Sequence, residues 1–312
     1  MPRPRKKYMP ATLVAILGTV FILFANLAGK GMLPSFIERP AAQVNRATGG
    51  VLYSQTSAAP ALSGLSVHVI DVGQGDSLFV WCEGSSMVID GGPGSANGKT
   101  VSYLKSLGIR KLDYVVPTHP DEDHVGGLPG VLSNFTVGKV LMSDATANTD
   151  AFKNLLLTMK KQGLTATRAA PGQTYTLGGA SFTVLAPNKE YSDTNDMSVV
   201  LRLTYHSRSF LFTGDAAQQS EKDMLAKGYD LHADVLKVSH HGSKTATSDA
   251  FLKAVNPQLA LISVGKDNKY GLPSTSTIRK LQQAGIPVLR TDQHGTIVVQ
   301  TDGTKVTYHT EK

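Results

Sequence analysis

The chain has 312 residues, a net charge of +7 and one cysteine. With 41 % hydrophobic and 18 % charged residues it can build a core, which excludes a disordered chain. A single cysteine excludes an internal disulfide and any cysteine-based zinc cluster, so a bound metal falls to His, Asp and Glu; no disulfide-linked partner is expected.

The basic balance invites a nucleic-acid reading, but Arg3, Arg5, Lys6 and Lys7 carry four of the excess charges. No charge follows Lys7 until Lys30, and the run from Ala11 to Gly29 is rich in Leu, Val, Ile, Phe and Ala. A spanning helix needs about 20 such residues, and a basic flank stays on the cytoplasmic side. Residues 1–29 are therefore expected to be a signal anchor, with a cleaved signal peptide as the alternative. The rest would lie outside the cytoplasm, held at the cell membrane or secreted. Residues 30–64, with Pro34, Pro40, Pro60, Gly49 and Gly50, are expected to form a flexible linker.

Residues 65–312 carry the folded domain. Apolar patterning predicts strands at 65–72, 76–83 and 86–90, a helix over 98–107 stopping at Gly108, and a strand at 112–117. A polar loop, a turn or helix at 127–134, strand 139–143, helix 150–162 and strand 180–186 follow. A hairpin is expected at 197–205 and 209–213, then helix 216–227 and strand 234–239. Helix 247–255, strand 259–264, helix 274–284, strand 287–290 and a terminal hairpin over 295–309 complete the domain. Short strands interspersed with helices predict a layered α/β or α+β architecture.

The chemistry gathers in polar loops. His119-Pro120-Asp121-Glu122-Asp123-His124 follows an apolar strand and precedes Gly126-Gly127. If the loop stays extended, positions 119, 121 and 123 share one side, and His124 reaches the same space from the turn. Two imidazoles and two carboxylates within six residues suit one or two divalent metals. A cation also gives carboxylates that repel one another a reason to be together. Thr213-Gly214-Asp215 and Ser239-His240-His241-Gly242-Ser243 end two further apolar strands, and Val88-Ile89-Asp90-Gly91-Gly92 ends a fourth. Each alone is weak, since Gly-Asp is a common turn pair. Together, past strand C-termini, they read as one site at one edge of the sheets.

The HxDxDH order with VIDGG, TGD and HHGS resembles the metallo-β-lactamase superfamily. With HVIDVGQGDSLFV (68–80), NDMSVVLRL (195–203) and LKVSHHGS (236–243) it is similar to the metallo-β-lactamase-like domain of ComEC-type DNA-uptake (competence) proteins and their stand-alone relatives, from about residue 65 to 308. The resemblance implies an α+β fold, a four-layer αββα sandwich with a metal site at one edge of its paired sheets, here preceded by one N-terminal hydrophobic helix. It does not imply antibiotic hydrolysis, because one fold hosts many chemistries.

The resemblance further implies two divalent ions. His119 and Asp121 would bind one, Asp123 and His124 the other, and Asp215 would bridge them. His240 would complete the set, with His241 beside it. Asp90 would orient a metal-binding His by hydrogen bonding. Asn195 or Asp196 stands where many members place another His, which leaves Zn²⁺ and Mn²⁺ both open. Relatives commonly carry Tyr-Gly-His-Pro where this chain has Tyr270-Gly271-Leu272-Pro273, so one family His is replaced by Leu.

The implied reaction is metal-assisted hydrolysis of a phosphodiester, with DNA as the first candidate substrate: two cations would acidify a water and clamp the phosphoryl oxygens. Asp123, Asp215 and His240 are the catalytic candidates. Lys237, Ser243 and Lys244 are candidates for phosphate contacts. The alternatives are a cell-surface phosphorylcholine, teichoic-acid or other small-ester hydrolase, and a non-catalytic module that holds DNA or a partner. Gly91–Gly98 lacks the order of a P-loop and is expected to be a mobile loop at the rim. His68, His206, His232, His294 and His309 are expected to be structural or exposed, Trp81 and Cys82 core-associated. Tyr and Phe are not interleaved with Lys or Arg as a base-stacking platform would require.

Overall fold

A computed structural model describes residues 53–56, 61–96 and 98–312. The expected membrane segment lies outside the described residues; among the described ones no helix is long and apolar enough to cross a membrane.

The first seven strands are β1 (Tyr53–Gln55), β2 (Leu65–Val69), β3 (Leu78–Cys82), β4 (Ser85–Ile89), β5 (Lys111–Val116), β6 (Thr136–Met142) and β7 (Ala166–Arg168). The next seven are β8 (Thr174–Leu177), β9 (Ala180–Ala186), β10 (Val200–Tyr205), β11 (Arg208–Phe212), β12 (Val235–Lys237), β13 (Leu259–Ile262) and β14 (Val288–Arg290). β15 (Ile297–Thr301) and β16 (Val306–Thr310) close the chain. Helices α1 (Lys99–Ser106), α2 (Glu122–Val125), α3 (Leu128–Asn134) and α4 (Asp150–Lys161) belong to the first half. Helices α5 (Gln218–Ala226), α6 (Asp249–Val255), α7 (Thr275–Gln283) and α8 (Thr291–His294) belong to the second.

Two mixed sheets result, ordered β1-β16-β15-β2-β3-β4-β5-β6-β7 and β14-β13-β12-β11-β10-β9-β8. The period of two along each strand sorts its side chains between two apolar layers. On β3, Val80 joins the cluster between the sheets while Phe79 joins the cluster shared with α1, α3 and α4. On β12, Val235 faces the other sheet while Leu236 faces Phe251 and Leu252 of α6. Fully burying such a side chain contributes roughly 1.5–3 kcal/mol each, so the alternation specifies register and layer order together.

Local signals fix the helices. Thr149 Oγ1 accepts the Phe152 amide at the start of α4 (3.3 Å), which satisfies a donor the helix cannot. Phe152, Leu155 and Met159 then recur on one buried face. Ser248 caps α6 in the same way, and α6 ends at Asn256 in the left-handed region, φ 47°.

Three expectations change. Tyr53–Gln55, inside the expected linker, pairs in parallel with β16, and the Ala61 carbonyl accepts from Gln300 Nε2 (2.8 Å); sheet structure therefore begins before residue 65. β7 and β8 were not foreseen: they are short edge strands whose exposed positions break up any apolar run. Gly91, Gly92 and Pro93 are buried against the HxDxDH segment rather than forming a free loop.

β4 and β5 run parallel, as do β11, β12 and β13. Their C-terminal ends lead into Asp90, His119, Asp215, the His240–His241 pair and Ser263.

Candidate metal centre

In the first sheet, Ile89 is opposite Val116, so Asp90 and Thr118 emerge side by side. The Thr118 amide and hydroxyl donate to Asp90 Oδ1 and Oδ2 (2.8 and 2.7 Å). The chain after Pro120 does not stay extended. The amides of His124 and Val125 donate to the Asp121 carbonyl, which starts α2. Shared sidedness by strand alternation therefore ends at Asp121, and one helical turn carries Asp123 and His124 inward. That turn is held from behind: Gly91 N donates to the His124 carbonyl (2.7 Å) and Gly127 N to the Gly92 carbonyl (2.8 Å). A Cβ on Gly127 would collide with the Gly91 carbonyl, so the approach needs glycine.

In the second sheet, Phe212 is opposite Lys237. Asp215 follows one turn later, its amide donating to Ser198 Oγ (3.1 Å). His240 and His241 both occupy the left-handed region, φ 51° and 50°. That conformation costs non-glycine residues roughly 1–3 kcal/mol each and persists where the surroundings over-determine it. Here the His240 amide donates to the Gly214 carbonyl (3.1 Å) and His241 Nδ1 to the Ser263 carbonyl (2.9 Å).

The two halves meet on a small volume. One atom each of His119, His124 and Asp215 lie within 4.8 Å of one another, and the same holds for Asp123, His124 and His241. His124 Nε2 lies 3.3 Å from Asp215 Oδ1, and His241 Nε2 lies 3.2 Å from Asp123 Oδ2 and 3.5 Å from Asp215 Oδ2. His119 Nε2 lies 3.7 Å from Asp121 Oδ2. The Nε2 atoms of His119, His124 and His241 and Oδ1 of Asp215 are buried without a hydrogen-bond partner among the described residues. Each such atom costs about 1–3 kcal/mol if left unsatisfied, and four of them facing one space fit a divalent cation.

The far nitrogens are fixed. His124 Nδ1 donates to Asp90 Oδ2 (2.8 Å). His119 Nδ1 lies 3.1 Å from Thr118 Oγ1. His241 Nδ1 also lies 3.3 Å from Asp76 Oδ1, and Asp76 Oδ2 accepts from Lys237 Nζ (2.6 Å). Supports of this kind set the tautomer and aim Nε2 inward.

The charges hold one another. Burial opposes the imidazolium form of His124, but Asp215 and Asp90 raise its pKa well above the ordinary 6.5. Burial likewise opposes that of His241, and Asp215, Asp123 and Asp76 outweigh it, bringing His241 to about 10. Burial would raise Asp215, yet His241 and His124 hold it well below 3.8. Burial would also raise Asp123, and His241 and His124 keep it low. Without a cation, protons on the imidazoles neutralise the carboxylates; a cation replaces them.

Asp76 escaped the sequence reading. It lies inside the HVIDVGQGDSLFV segment at the head of an apolar strand, a place where a fully buried carboxylate has no local partner. Its partner lies 161 positions away. Lys237, expected to touch phosphate, is 1 % exposed and is committed to Asp76 and the Val238 carbonyl. The order within the His pair also differs from expectation. His241 joins two of the three-residue clusters and His240 none; His240 Nε2 lies 3.7 Å from Asp215 Oδ2 on a side chain 28 % exposed. Asp196 accepts the Ser220 amide in α5 (2.9 Å), and Asn195 lies in the turn leading to it. Neither joins a cluster; Thr194 reaches Asp121 instead (3.2 Å). Ser243 Oγ bonds Thr245 Oγ1 (2.8 Å) just beyond the His pair. Leu272 packs against the cluster beneath α6 and α7. A polar cleft of about 350 Å³, lined by Ser143, Arg168, Lys189, Tyr191 and Thr194 among others, opens beside Asp121.

Comparison with known proteins agrees with this geometry. Residues 70–266 match the family described as the Metallo-beta-lactamase superfamily. The chain is 32 % identical over 250 residues to ComE operon protein 3 of Bacillus subtilis, covering 74 % of this chain and 32 % of that protein. It is 32 % identical over 235 residues to Competence protein ComA of Neisseria gonorrhoeae, with the same coverage. The chain thus spans about a third of the length of the curated relatives it matches. Among solved structures, the metallo-beta-lactamase fold protein YhfI from Bacillus subtilis superposes with a TM-score of 0.52 at 15 % identity, over 74 % of this chain and 98 % of that one. Two mixed sheets flanked by helices, a buried His/Asp cluster at their parallel ends and a family match over most of the domain converge: the chain belongs to the metallo-β-lactamase superfamily and is related to competence proteins.

Proposed function

We propose that this protein is a metal-dependent phosphodiesterase that acts on DNA outside the cytoplasm, through two divalent ions, Zn²⁺ or Mn²⁺. The observation that carries the reading is the convergence in one buried space of three Nε2 atoms and Asp215 Oδ1 that make no hydrogen bond among the described residues. The relation to competence proteins supports DNA as the substrate, and the apolar run after the basic N-terminus supports the location.

His119, His124, His241, Asp121, Asp123 and Asp215 would hold the ions. Bound there, divalent metal supplies Lewis acidity to a phosphoryl oxygen and a nucleophilic water near neutral pH. The chain does the rest. Asp90 and Thr118 aim His124 and His119; Asp76 and the Ser263 carbonyl aim His241. The Asp123 side chain is 31 % exposed where its imidazole partners are buried, so it faces the open side. Kept ionised, it can hold the proton of an attacking water at Oδ2. His240, at the edge, can donate to a departing oxygen.

The test is hydrolysis of bis(p-nitrophenyl) phosphate and of labelled single- and double-stranded DNA by the full-length protein with Mn²⁺ or Zn²⁺. Asp215→Asn and His119→Ala are the comparison variants, with phosphorylcholine and carboxylic esters as alternative substrates. The expected result is metal-dependent cleavage of phosphodiesters, lowered at least a hundredfold in both variants. Equal cleavage by all three proteins, or turnover of carboxylic esters only, overturns the reading.

A further inference from the structure

The segment that follows β13 lies against Gln74, close to Asp76, and against Gly242, next to His241. Gly265 N donates to Gln74 Oε1 (3.2 Å), two residues before Asp76. At the other end, Ser274 N donates to the Gly242 carbonyl (2.9 Å), and a Cβ on Gly242 would press on Pro273. Residues 265–274 therefore form part of the rim of the metal centre.

One side chain staples this rim. Asn268 Nδ2 donates to the Gly265 and Leu272 carbonyls (2.9 and 2.6 Å), and its Oδ1 accepts the amides of Tyr270 and Leu272 (3.2 and 3.0 Å). Leu272 anchors the same turn in the core. The packing role explains why an apolar residue serves at this position. What the staple presents is Tyr270, 60 % exposed, one of three large hydrophobic side chains exposed among the described residues. Lys269 Nζ lies 5.2 Å from its ring centroid. Lys266 on the same turn and Lys244, two residues past Gly242, are also exposed. Among the described residues no ion pair takes up these three lysines. The single acid among them is Asp267.

An aromatic ring on a stapled turn, with Lys269 against it and Lys266 on the same turn, at the rim of a centre that would cut phosphodiesters, has the composition of a single-strand binding surface: a ring for a base and lysines for the backbone. Lys266, Lys269 and Tyr270 fall within five residues of sequence, and Lys244 lies two residues past Gly242, which meets Pro273 of the same turn. We propose that the Tyr270 turn is a stacking platform on which a base of single-stranded DNA rests while its backbone enters the metal centre. The proposal rests on the phosphodiesterase reading for the identity of the strand, but it can be tested without catalysis.

The experiment is fluorescence anisotropy of a labelled 15-mer oligo(dT) against full-length protein in EDTA, where metal-dependent cleavage is silent. The same measurement is made on an abasic strand of equal length. Replacing Tyr270 by Ala is expected to weaken oligo(dT) binding by about five- to 150-fold, the range for losing one stacked base. The abasic strand should bind the wild type and Tyr270→Ala alike. Tyr270→Phe keeps the ring and should keep oligo(dT) affinity. Replacing Lys266 and Lys269 by Gln should make the plot of log affinity against log salt shallower by about 1.4, at roughly 0.7 for each phosphate the lysines no longer neutralise. Unchanged oligo(dT) binding in Tyr270→Ala, an equal loss on the abasic strand, or no binding by the wild type overturns the platform. Wild-type hydrolysis of bis(p-nitrophenyl) phosphate with Mn²⁺ tests the phosphodiesterase reading alone, so the two can fail separately.

Discussion

Lys237 Nζ lies 2.6 Å from Asp76 Oδ2, and both side chains are 1 % exposed. Lys237 shares with Val235 the face of β12 that meets the other sheet, so an ammonium sits at the end of an apolar layer with one carboxylate to neutralise it. The same carboxylate faces His241 Nδ1. The pair therefore connects the packing between the sheets to the aim of an imidazole in the candidate metal centre.

Removing Lys237 takes away the nearest positive partner of a buried carboxylate and leaves only the neighbouring imidazoles to offset it. Lys237→Met is expected to destabilise the protein by about 3–5 kcal/mol, read as a lowered urea midpoint. The double variant Lys237→Met/Asp76→Asn carries no such charge and should be more stable than Lys237→Met alone. A Lys237→Met protein as stable as wild type would show that the ammonium is not committed to Asp76.

Asp90 accepts three hydrogen bonds, from the Thr118 amide, the Thr118 hydroxyl and His124 Nδ1. An amide cannot accept all three, since one of its two polar atoms only donates. Asp90→Asn should retain the fold, because Asn tolerates the left-handed backbone at this position, φ 57°. It should lose about 10- to 100-fold in metal affinity, as support residues do. Calorimetric titration of the metal-free protein with Zn²⁺ measures this.

The elements that were legible in the sequence are those whose apolar positions recur without interruption. β5 and β12 announce themselves because apolar layers cover both of their faces, and α4 because its apolar residues recur on one buried face. The HxDxDH, TGD and HHGS loops are legible for the opposite reason: polar residues that no core would require follow directly on such strands. What could not be read depends on tertiary partners. Asp76 has meaning only once β12 brings Lys237 to it. The choice between His240 and His241 depends on backbone torsions that reverse the direction of adjacent side chains. The fate of Asn195 and Asp196 was decided by the N-terminal turn of α5, which claims the Asp196 carboxylate.

Proton competition gives the centre a pH dependence whose sign follows from the raised imidazoles. A metal-binding imidazole must be neutral, and His241 keeps its proton up to about pH 10 in the metal-free protein. Metal affinity should therefore rise with pH between 6 and 9, with protons released on binding. The metal-free fold behaves in the opposite sense. Stabilisation from the raised His124 and His241 is full below their ordinary 6.5 and is lost as pH rises towards their folded values. Stabilisation from the lowered Asp123 and Asp215 is present above 3.8 and is lost as pH falls through their folded values. Melting temperatures with EDTA and with Zn²⁺ should diverge as pH rises from 6 to 9. A gap that narrows over that range would contradict the assignment of His124 and His241.

His240 and His241 share one backbone conformation but not one role, and glycine separates the two. At φ 51° and 50° each imidazole residue pays a left-handed cost that glycine does not. His240→Gly relieves that cost on a side chain 28 % exposed, removing little packing. It should raise stability by about 1 kcal/mol and keep metal affinity within the same order of magnitude, because no three-residue cluster includes His240. His241→Gly relieves the same strain but deletes an imidazole that faces both Asp123 and Asp215. Buried Asp215 and partly exposed Asp123 would then lose a positive partner, so the metal-free protein should be destabilised and metal binding should fall by more than tenfold. Urea unfolding in EDTA and Zn²⁺ titration of both variants make the comparison. If His240→Gly loses metal as severely as His241→Gly, the ligand role returns to His240.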